Sequence, residues 1–299
     1  MPFDLHGYLQ ERRRWVDEAL DRFLPPVSLY PQRIHEAMRY SVFAGGKRLR
    51  GILVVAGAEA AGCEGEKALP LASSIEMIHT YSLIHDDLPA MDNADYRRGL
   101  PSCHKKFGEA IAILAGDALF ALAFALISEE AFTRTVEGNE LAWILREIAQ
   151  AAGTGGIVGG QTMDILSQGQ EIDPDLLKYI HTHKTGILIR TSLRVGAILG
   201  RPSDLQLQAL SDYGEKIGLA FQIMDDILDV EGEKEKMGKE LGRDKEQGKI
   251  TYPGVLGLAR SKAEAKRLVE EAVDVLSTFP GPNIEPLRFL AKYIIQRSS

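Results

Sequence analysis

Phe221-Gln222-Ile223-Met224-Asp225-Asp226-Ile227-Leu228-Asp229 is two chemistries wound together at helical spacing. At about 100° per residue, Gln222, Asp225, Asp226 and Asp229 fall on one face at separations of 3, 4 and 7. Ile217, Ala220, Phe221, Met224 and Leu228 cover the opposite face, which demands burial. A solvated carboxylate face ordinarily carries lysine at i+4, and none is interleaved here. Three acids without soft ligands suit a hard cation such as Mg²⁺ better than zinc. The alternative is an acidic turn at the surface.

Helical periodicity recurs along the rest of the chain, and alternating strand patterns are hard to find, so the fold class is all-α. Ile34, Ala37, Met38 and Val42 share a face before Gly45-Gly46 stops that helix. A second helix runs from about Leu71 to Leu88, where Pro89 interrupts it, and residues 89–104 read as an ordered loop. Ala110–Ile127 is almost wholly apolar, with Asp117 at its centre and no flanking aromatic belt. It reads as a helix at the centre of a soluble bundle rather than a membrane span. Gly153–Gly160 has neither a preceding strand nor a Walker lysine, so close helix packing explains it better than a nucleotide loop. Further helices are expected over 174–199, 204–230, 261–278 and 285–296, and the mixed charges of 231–249 read as a solvated loop.

With 299 residues, 45% hydrophobic and 26% charged, the chain can bury a full core. No linker divides it, so residues 1–299 are expected to form a single domain. The balance of 35 basic against 42 acidic residues gives a net charge of −7 and argues against nucleic acid as a partner. Cys63 and Cys103 offer no metal or disulfide spacing, and the N-terminal stretch has no apolar secretory segment; the expected compartment is the cytoplasm.

A second acidic cluster, His85-Asp86-Asp87-Leu88-Pro89-Ala90-Met91-Asp92, ends the Leu71 helix. His79, Ser82 and Asp86 share a face there, and Pro89 allows Asp92 to turn back towards it. Two such clusters could face each other across a bundle. Their repulsion is severe, since two unit charges about 4 Å apart cost about 4 kcal/mol at an effective dielectric of about 20. Divalent ions together with a bound polyanion would balance them. Diphosphate fits, because Mg²⁺ binds readily through substrate phosphates. Gly45-Gly46-Lys47-Arg48-Leu49-Arg50 and Arg97-Arg98 supply cations to match.

At these residues the sequence resembles the trans-isoprenyl diphosphate synthases, and among them the bacterial farnesyl diphosphate synthases. Asp86-Asp87-x4-Asp92 followed by Arg97-Arg98-Gly99 is similar to the first aspartate-rich motif of that family. Asp225-Asp226-x2-Asp229, preceded by Phe221-Gln222, is similar to the second. The resemblance runs from Gly45 to Lys249. One departure is Ala94, where bacterial relatives often carry Asp.

The resemblance implies a single helical bundle around a deep cavity, in a homodimer, that condenses isopentenyl diphosphate with dimethylallyl or geranyl diphosphate. Lys47, Arg50, His79 and Arg98 would hold isopentenyl diphosphate. Asp86, Asp92 and Asp225 would be the principal ligands of three Mg²⁺ ions, supported by Asp87, Asp226 and Asp229. Arg97, Lys184, Lys239 and Lys249 would bind the allylic diphosphate, with Thr185 and Gln222 beside the developing cation. The run 231–249 would close over the site. Asp86, Asp92, Asp225, Lys184, Thr185 and Gln222 would thus be the catalytic set, needing no protein nucleophile and no histidine base.

Tyr81 lies five residues before Asp86, about 7.5 Å lower along the helix. A bulky ring there could form the cavity floor, and the resemblance implies that with Ser82 it sets chain length, since in the related bacterial enzymes an aromatic at this place goes with a fifteen-carbon product; the alternative is an ordinary core residue. The alternatives are a geranylgeranyl diphosphate synthase, a metal-dependent phosphohydrolase of the HD type, a class I terpene cyclase and a non-catalytic synthase subunit. The hydrolase leaves the second aspartate motif without a task. The cyclase needs no second diphosphate pocket, and a silent subunit would favour loss of one motif.

Overall fold

The computed structural model describes residues 3–169, 174–231 and 251–296. In chain order its helices are α1 (Leu5–Phe23), α2 (Gln32–Val42), α3 (Leu49–Ala60), α4 (Leu69–Asp86), α5 (Cys103–Phe107), α6 (Glu109–Ser128) and α7 (Glu130–Thr133). There follow α8 (Gly138–Ala152), α9 (Ile157–Leu166), α10 (Pro174–His181), α11 (Ile187–Ile198), α12 (Asp204–Glu231), α13 (Tyr252–Leu256), α14 (Leu258–Val275) and α15 (Glu285–Gln296). Among the described residues the only strands are β1 (Tyr96–Arg97) and β2 (Leu100–Pro101), a minimal antiparallel ladder inside the expected loop. The chain is all-α, as its periodicity implies.

The centre belongs to α3 and α4, helices buried on almost every side. Ile52 to Ala58 of α3 and Leu71 to Ile78 of α4 are inaccessible or nearly so. Each large aliphatic side chain buried there contributes about 1.5–3 kcal/mol. Against α3 lies α11, at backbone contact. A Cβ added to Gly57 would lie 2.3 Å from the Leu193 carbonyl oxygen, and one on Gly196 would lie 1.9 Å from that of Val54. The glycines are therefore required by proximity. α12 packs on the other side of α11 and continues against α14 and α15.

α6 departs from the expectation of a central helix. Its small residues Ala112, Ala115, Gly116 and Ala123, with Leu119 and Ile127, form one buried stripe against α4. The outer face leaves Ile113 44% and Leu114 54% exposed. Apolar character all round therefore marks two different contacts here, a tight inner one and an open outer one. Among the described residues α6 is the one helix long and apolar enough to cross a membrane.

A second departure matters more for the site. The helix expected over 174–199 is interrupted by a π-helical turn, Thr182–Gly186, between α10 and α11. Lys184 and Thr185 lie within this turn, and such bulges are frequent at functional positions.

Candidate active site

The first aspartate cluster is built by a helix end that folds back on itself. α4 ends at Asp86, and the loop returns through backbone bonds from Asp92 N to Asp86 O (2.9 Å), Asn93 N to Leu88 O (3.1 Å) and Ala94 N to Asp87 O (3.2 Å). Asn93 takes a left-handed φ of 45°, which asparagine tolerates. Asp92 is thereby brought back to the helix terminus, as Pro89 suggested. Ala94 is buried, so the departure from the bacterial pattern is a packed methyl rather than a missing surface acid.

The paired aspartates have different surroundings. Asp86 Oδ1 accepts from Gln161 Nε2 at 2.6 Å, and Lys184 Nζ stands 3.7 Å away. Asp87, 2% exposed, is held by the guanidinium of Arg97, whose Nε lies 3.1 and 3.2 Å from the two carboxylate oxygens and whose Nη2 also donates. Burial opposes the charge on Arg97, but Asp87 more than offsets it and raises its pKa.

The second cluster repeats this division within the continuous helix α12. Asp226 is buried and accepts from His181 Nε2 (3.0 Å), from the backbone N–H of Tyr252 (2.9 Å) and from Gln222 Nε2 (3.2 Å). His181 stacks on the Tyr252 ring. Asp225, its neighbour in sequence, is only half-buried and lies within electrostatic reach of Arg50. Asp229 follows one turn later, also half-buried.

Lys184 joins the clusters. Its Nζ donates to Asp164 Oδ2 at 2.7 Å. Burial works against the ammonium, while Asp86, Asp164 and Asp92 outweigh it and raise its pKa. Gln161 and Asp164, which contact Asp86 and Lys184, were not among the expected site residues. Their signal was the Gln-x-x-Asp spacing directly after the glycine stretch. Gly160 explains that stretch: a Cβ there would lie 2.3 Å from Lys184 N, so its absence lets α9 touch the π turn. The packing interpretation of these glycines accounts for the contact.

The cations of the other pocket surround the start of α3. Arg50 Nη1 donates to His79 Nε2 at 3.2 Å. Burial, then Arg50, Arg98 and further arginines, push His79 well below its ordinary pKa, so it is a neutral acceptor. Arg98 bonds the Gly45 carbonyl across the loop, and Lys47 is exposed just before α3. Arg48, the remaining cation of the run, is buried and paired with Asp17 at 2.7 Å. Thr185 sits half-buried in the π turn, whereas Lys239 and Lys249 lie outside the described residues, as does most of the run 231–249.

Farther down α4, the Tyr81 ring packs edge-on against Phe120 of α6 at 4.9 Å, and Phe120 in turn meets Phe124 at 5.2 Å. Ser82 Oγ donates to the His79 carbonyl at 2.8 Å.

The acids expected to hold a metal, Asp86, Asp92 and Asp225, would offer oxygen donors only. Among the described residues no group of three or more His, Cys, Asp or Glu side chains is placed to hold a metal ion by itself. An all-oxygen donor set is one that suits Mg²⁺, which retains water and substrate oxygens in its shell, better than zinc.

The family model for polyprenyl synthetases matches residues 31–278. The farnesyl diphosphate synthase of Escherichia coli is 44% identical over 298 residues, covering 99% of both chains. The geranylgeranyl diphosphate synthase of Cyanophora paradoxa is 43% identical over 99% of this chain and 98% of its own. Among solved structures, an FPP/GFPP synthase from Zymomonas mobilis superposes with a TM-score of 0.86 at 38% identity, covering 97% of this chain and 98% of that one. With both aspartate motifs in place and the match spanning nearly its whole length, the chain belongs to the polyprenyl synthetase family and is a trans-prenyltransferase.

Proposed function

We propose that this protein is a Mg²⁺-dependent farnesyl diphosphate synthase, condensing isopentenyl diphosphate with dimethylallyl and then geranyl diphosphate and releasing diphosphate. These are the dimethylallyltranstransferase and geranyltranstransferase activities. The observation that carries the product assignment is the aromatic stack of Tyr81, Phe120 and Phe124 below Asp86. Relatives of nearly equal identity are named for fifteen- and twenty-carbon products, so overall similarity does not select between them.

Asp86, Asp92 and Asp225 would hold the metal ions, three with substrate bound. Bound Mg²⁺ supplies charge stabilisation to the departing diphosphate. Lys184 and Arg97, with Lys239 and Lys249, orient the allylic diphosphate and share its developing charge. Lys47, Arg50, Arg98 and the neutral His79 hold isopentenyl diphosphate so that its double bond faces the allylic carbon. Gln222 donates its amide N–H to Asp226, which leaves its carbonyl oxygen, with the Thr185 hydroxyl, to face the electron-poor carbon. Asp87 and Asp226, filled by protein donors, act as braces, and Asp229 supports Asp225 from the next turn. The C–O bond to diphosphate breaks as the new C–C bond forms, and the proton lost from the new chain passes to the released diphosphate, ending the condensation. Apolar walls keep water from the cationic carbon until then.

We assign the whole chain to one domain and the active form to a homodimer in the cytoplasm. The outer face of α6, with Ile113, Leu114 and Phe120 exposed, is apolar enough to bury against a second copy. The unpaired thiols of Cys63 and Cys103 fit a reducing compartment. Leu114→Glu should convert the dimer to a monomer in sedimentation analysis; a monomeric wild type would overturn the assignment.

The functional test incubates purified protein with isopentenyl diphosphate and either dimethylallyl or geranyl diphosphate, with Mg²⁺ or with EDTA, and identifies products by mass spectrometry. Magnesium-dependent farnesyl diphosphate is expected, and Tyr81→Ala should lengthen it. A twenty-carbon product from the wild type would reject Tyr81 as the floor. Absence of any condensation would reject the activity.

A further inference from the structure

Asp117 is the one charge in the apolar run Ala110–Ile127, and nothing in the reaction as described uses it. It faces His85, the residue directly before the first aspartate motif, with Oδ1 3.8 Å from the imidazole Nε2. The same Nε2 lies 3.1 Å from the backbone carbonyl of Ile113, one turn earlier on α6. Two acceptors on one side of the ring place the proton of a neutral imidazole on Nε2, which donates to Ile113. The α6 backbone leaves room for the ring only because residue 116 is glycine. A Cβ there would overlap the imidazole, 2.6 Å from Cδ2 and 3.0 Å from Cε1. Tyr81 closes the contact edge-on from the preceding turn of α4, at 5.7 Å.

This contact seats the end of α4. The His85 carbonyl accepts from Leu88 N at 3.2 Å and the Asp86 carbonyl from Asp92 N at 2.9 Å, so the returning loop hangs from the turn that His85 pins. On the other side, Gln161 and Lys184 meet the Asp86 carboxylate. The last turn is thus gripped between α6 and the pair formed by α9 and the π turn. Successive residues point about 100° apart on a helix, so His85 anchors to α6 while Asp86 faces the site.

We propose that His85 is a positioning residue for the first aspartate motif: seated against Gly116 and oriented by Asp117, it fixes the helix end from which Asp86 and Asp92 reach a metal. It touches neither substrate nor ion and transfers no proton. Mg²⁺ demands near-octahedral geometry, so a helix end free to shift weakens its site. The inference rests on the reading of Asp86 and Asp92 as Mg²⁺ ligands in a diphosphate site.

The test compares His85→Ala, Gly116→Ala and the double variant, each in the full chain. Gly116→Ala keeps the imidazole but fills its seat, and alanine favours the helix, so this variant decides the matter should His85→Ala not fold. Calorimetric titration with inorganic diphosphate is run at fixed Mg²⁺ and again in EDTA. Each single variant should weaken binding about tenfold in Mg²⁺, the scale of lost outer-shell support at a metal site, and leave binding in EDTA unchanged. The double variant should be no worse than either single one, since the added methyl then meets no ring. Asp117→Asn should weaken the same binding about twofold, and no change would strike Asp117 from the proposal. In steady-state assays the Mg²⁺ concentration for half-maximal rate should rise in step, while KM for isopentenyl diphosphate stays within about twofold of wild type. A merely structural contact predicts an earlier urea midpoint with Mg²⁺-dependent binding unchanged. That result, or losses that add in the double variant, overturns the proposal. A wild type that binds diphosphate no better in Mg²⁺ than in EDTA removes the metal reading itself, and the proposal with it.

Discussion

The two aspartate motifs solve one problem with different materials. In each adjacent pair the second residue is buried and held by the protein, while the first stays more open beside the cations. Asp87 is held by a guanidinium, Arg97. Asp226 is held by an imidazole, a backbone N–H and a side-chain amide. The first motif sits where a helix ends, and its loop is knitted back by backbone bonds. The second lies inside α12, where the helix itself fixes the spacing, and its brace reaches across to α13 through Tyr252. Adjacent aspartates point about 100° apart on a helix, so a pair can present one carboxylate and anchor with the other. Under the proposed function, the motif is a presenting residue and its brace.

That division can be broken by substitution. Asp86→Ala and Asp225→Ala should each lower kcat by at least about 100-fold at a smaller cost in stability than loss of the buried neighbour, since both are half-buried and relief of like-charge repulsion offsets part of what is lost, for Asp86 its contacts with Gln161 and Lys184. Asp87→Ala and Asp226→Ala should lose both. Removing Asp87 strands a partly buried guanidinium at a cost of about 2–3 kcal/mol, less than a fully buried pair because Arg97 still reaches water. Removing Asp226 leaves donors of His181, Gln222 and Tyr252 without an acceptor, at about 1–3 kcal/mol. Steady-state rates and urea unfolding on the same preparations would separate the classes. The comparison collapses if Asp87→Ala unfolds like the wild type while losing as much rate as Asp86→Ala.

The junction between the motifs should be nearly as sensitive. Gly160→Ala places a methyl against the backbone at Lys184, 2.3 Å from its nitrogen and 2.7 Å from its Cα. Backbone cannot rotate away, so overpacking of about 1–3 kcal/mol is expected. The displacement would draw Asp164 from Lys184 and raise KM for the allylic substrate more than for isopentenyl diphosphate. Equal changes in the two KM values would show that α9 does not serve one substrate selectively.

Much of this was legible in the residues because it is local. The spacing of Asp225, Asp226 and Asp229 against Ile217, Phe221 and Met224 sets a helix with two faces wherever the segment lies. Pro89 dictates a helix end, and the side-chain periodicity elsewhere leaves little room for strands. Pairings between distant segments were not legible. Nothing in Asp226 announces Tyr252 N, and nothing in His85 announces Gly116. The π turn at Thr182–Gly186 escaped because one inserted residue scarcely disturbs an apolar pattern of period 3.6. The place of α6 escaped for another reason: an apolar outer face has the same composition whether it meets the core or another surface. Gln161 and Asp164 were hidden behind glycines whose packing explanation was correct but incomplete.

The smallest effect expected concerns His79, which shares α4 with the first motif, and asks whether the cations of that region act beyond the aspartates. Burial and then the arginines hold its folded pKa well below the ordinary value of about 6.5. An unfolded chain takes up a proton there as pH falls through about 6.5, while the folded protein does not. The sign follows: His79 makes no pH-dependent demand above that value and lowers stability progressively below it. Between pH 6.5 and 5.5 the loss attributable to this residue is about 1 kcal/mol. His79→Gln removes the titration and retains an oxygen that can accept from Arg50. Urea unfolding of wild type and variant at pH 7.5, 6.5 and 5.5 should therefore show the wild type losing about 1 kcal/mol more than the variant between pH 6.5 and 5.5. Parallel losses would mean that the folded imidazole accepts the proton after all, and that the arginines beside it are far better screened than their burial implies.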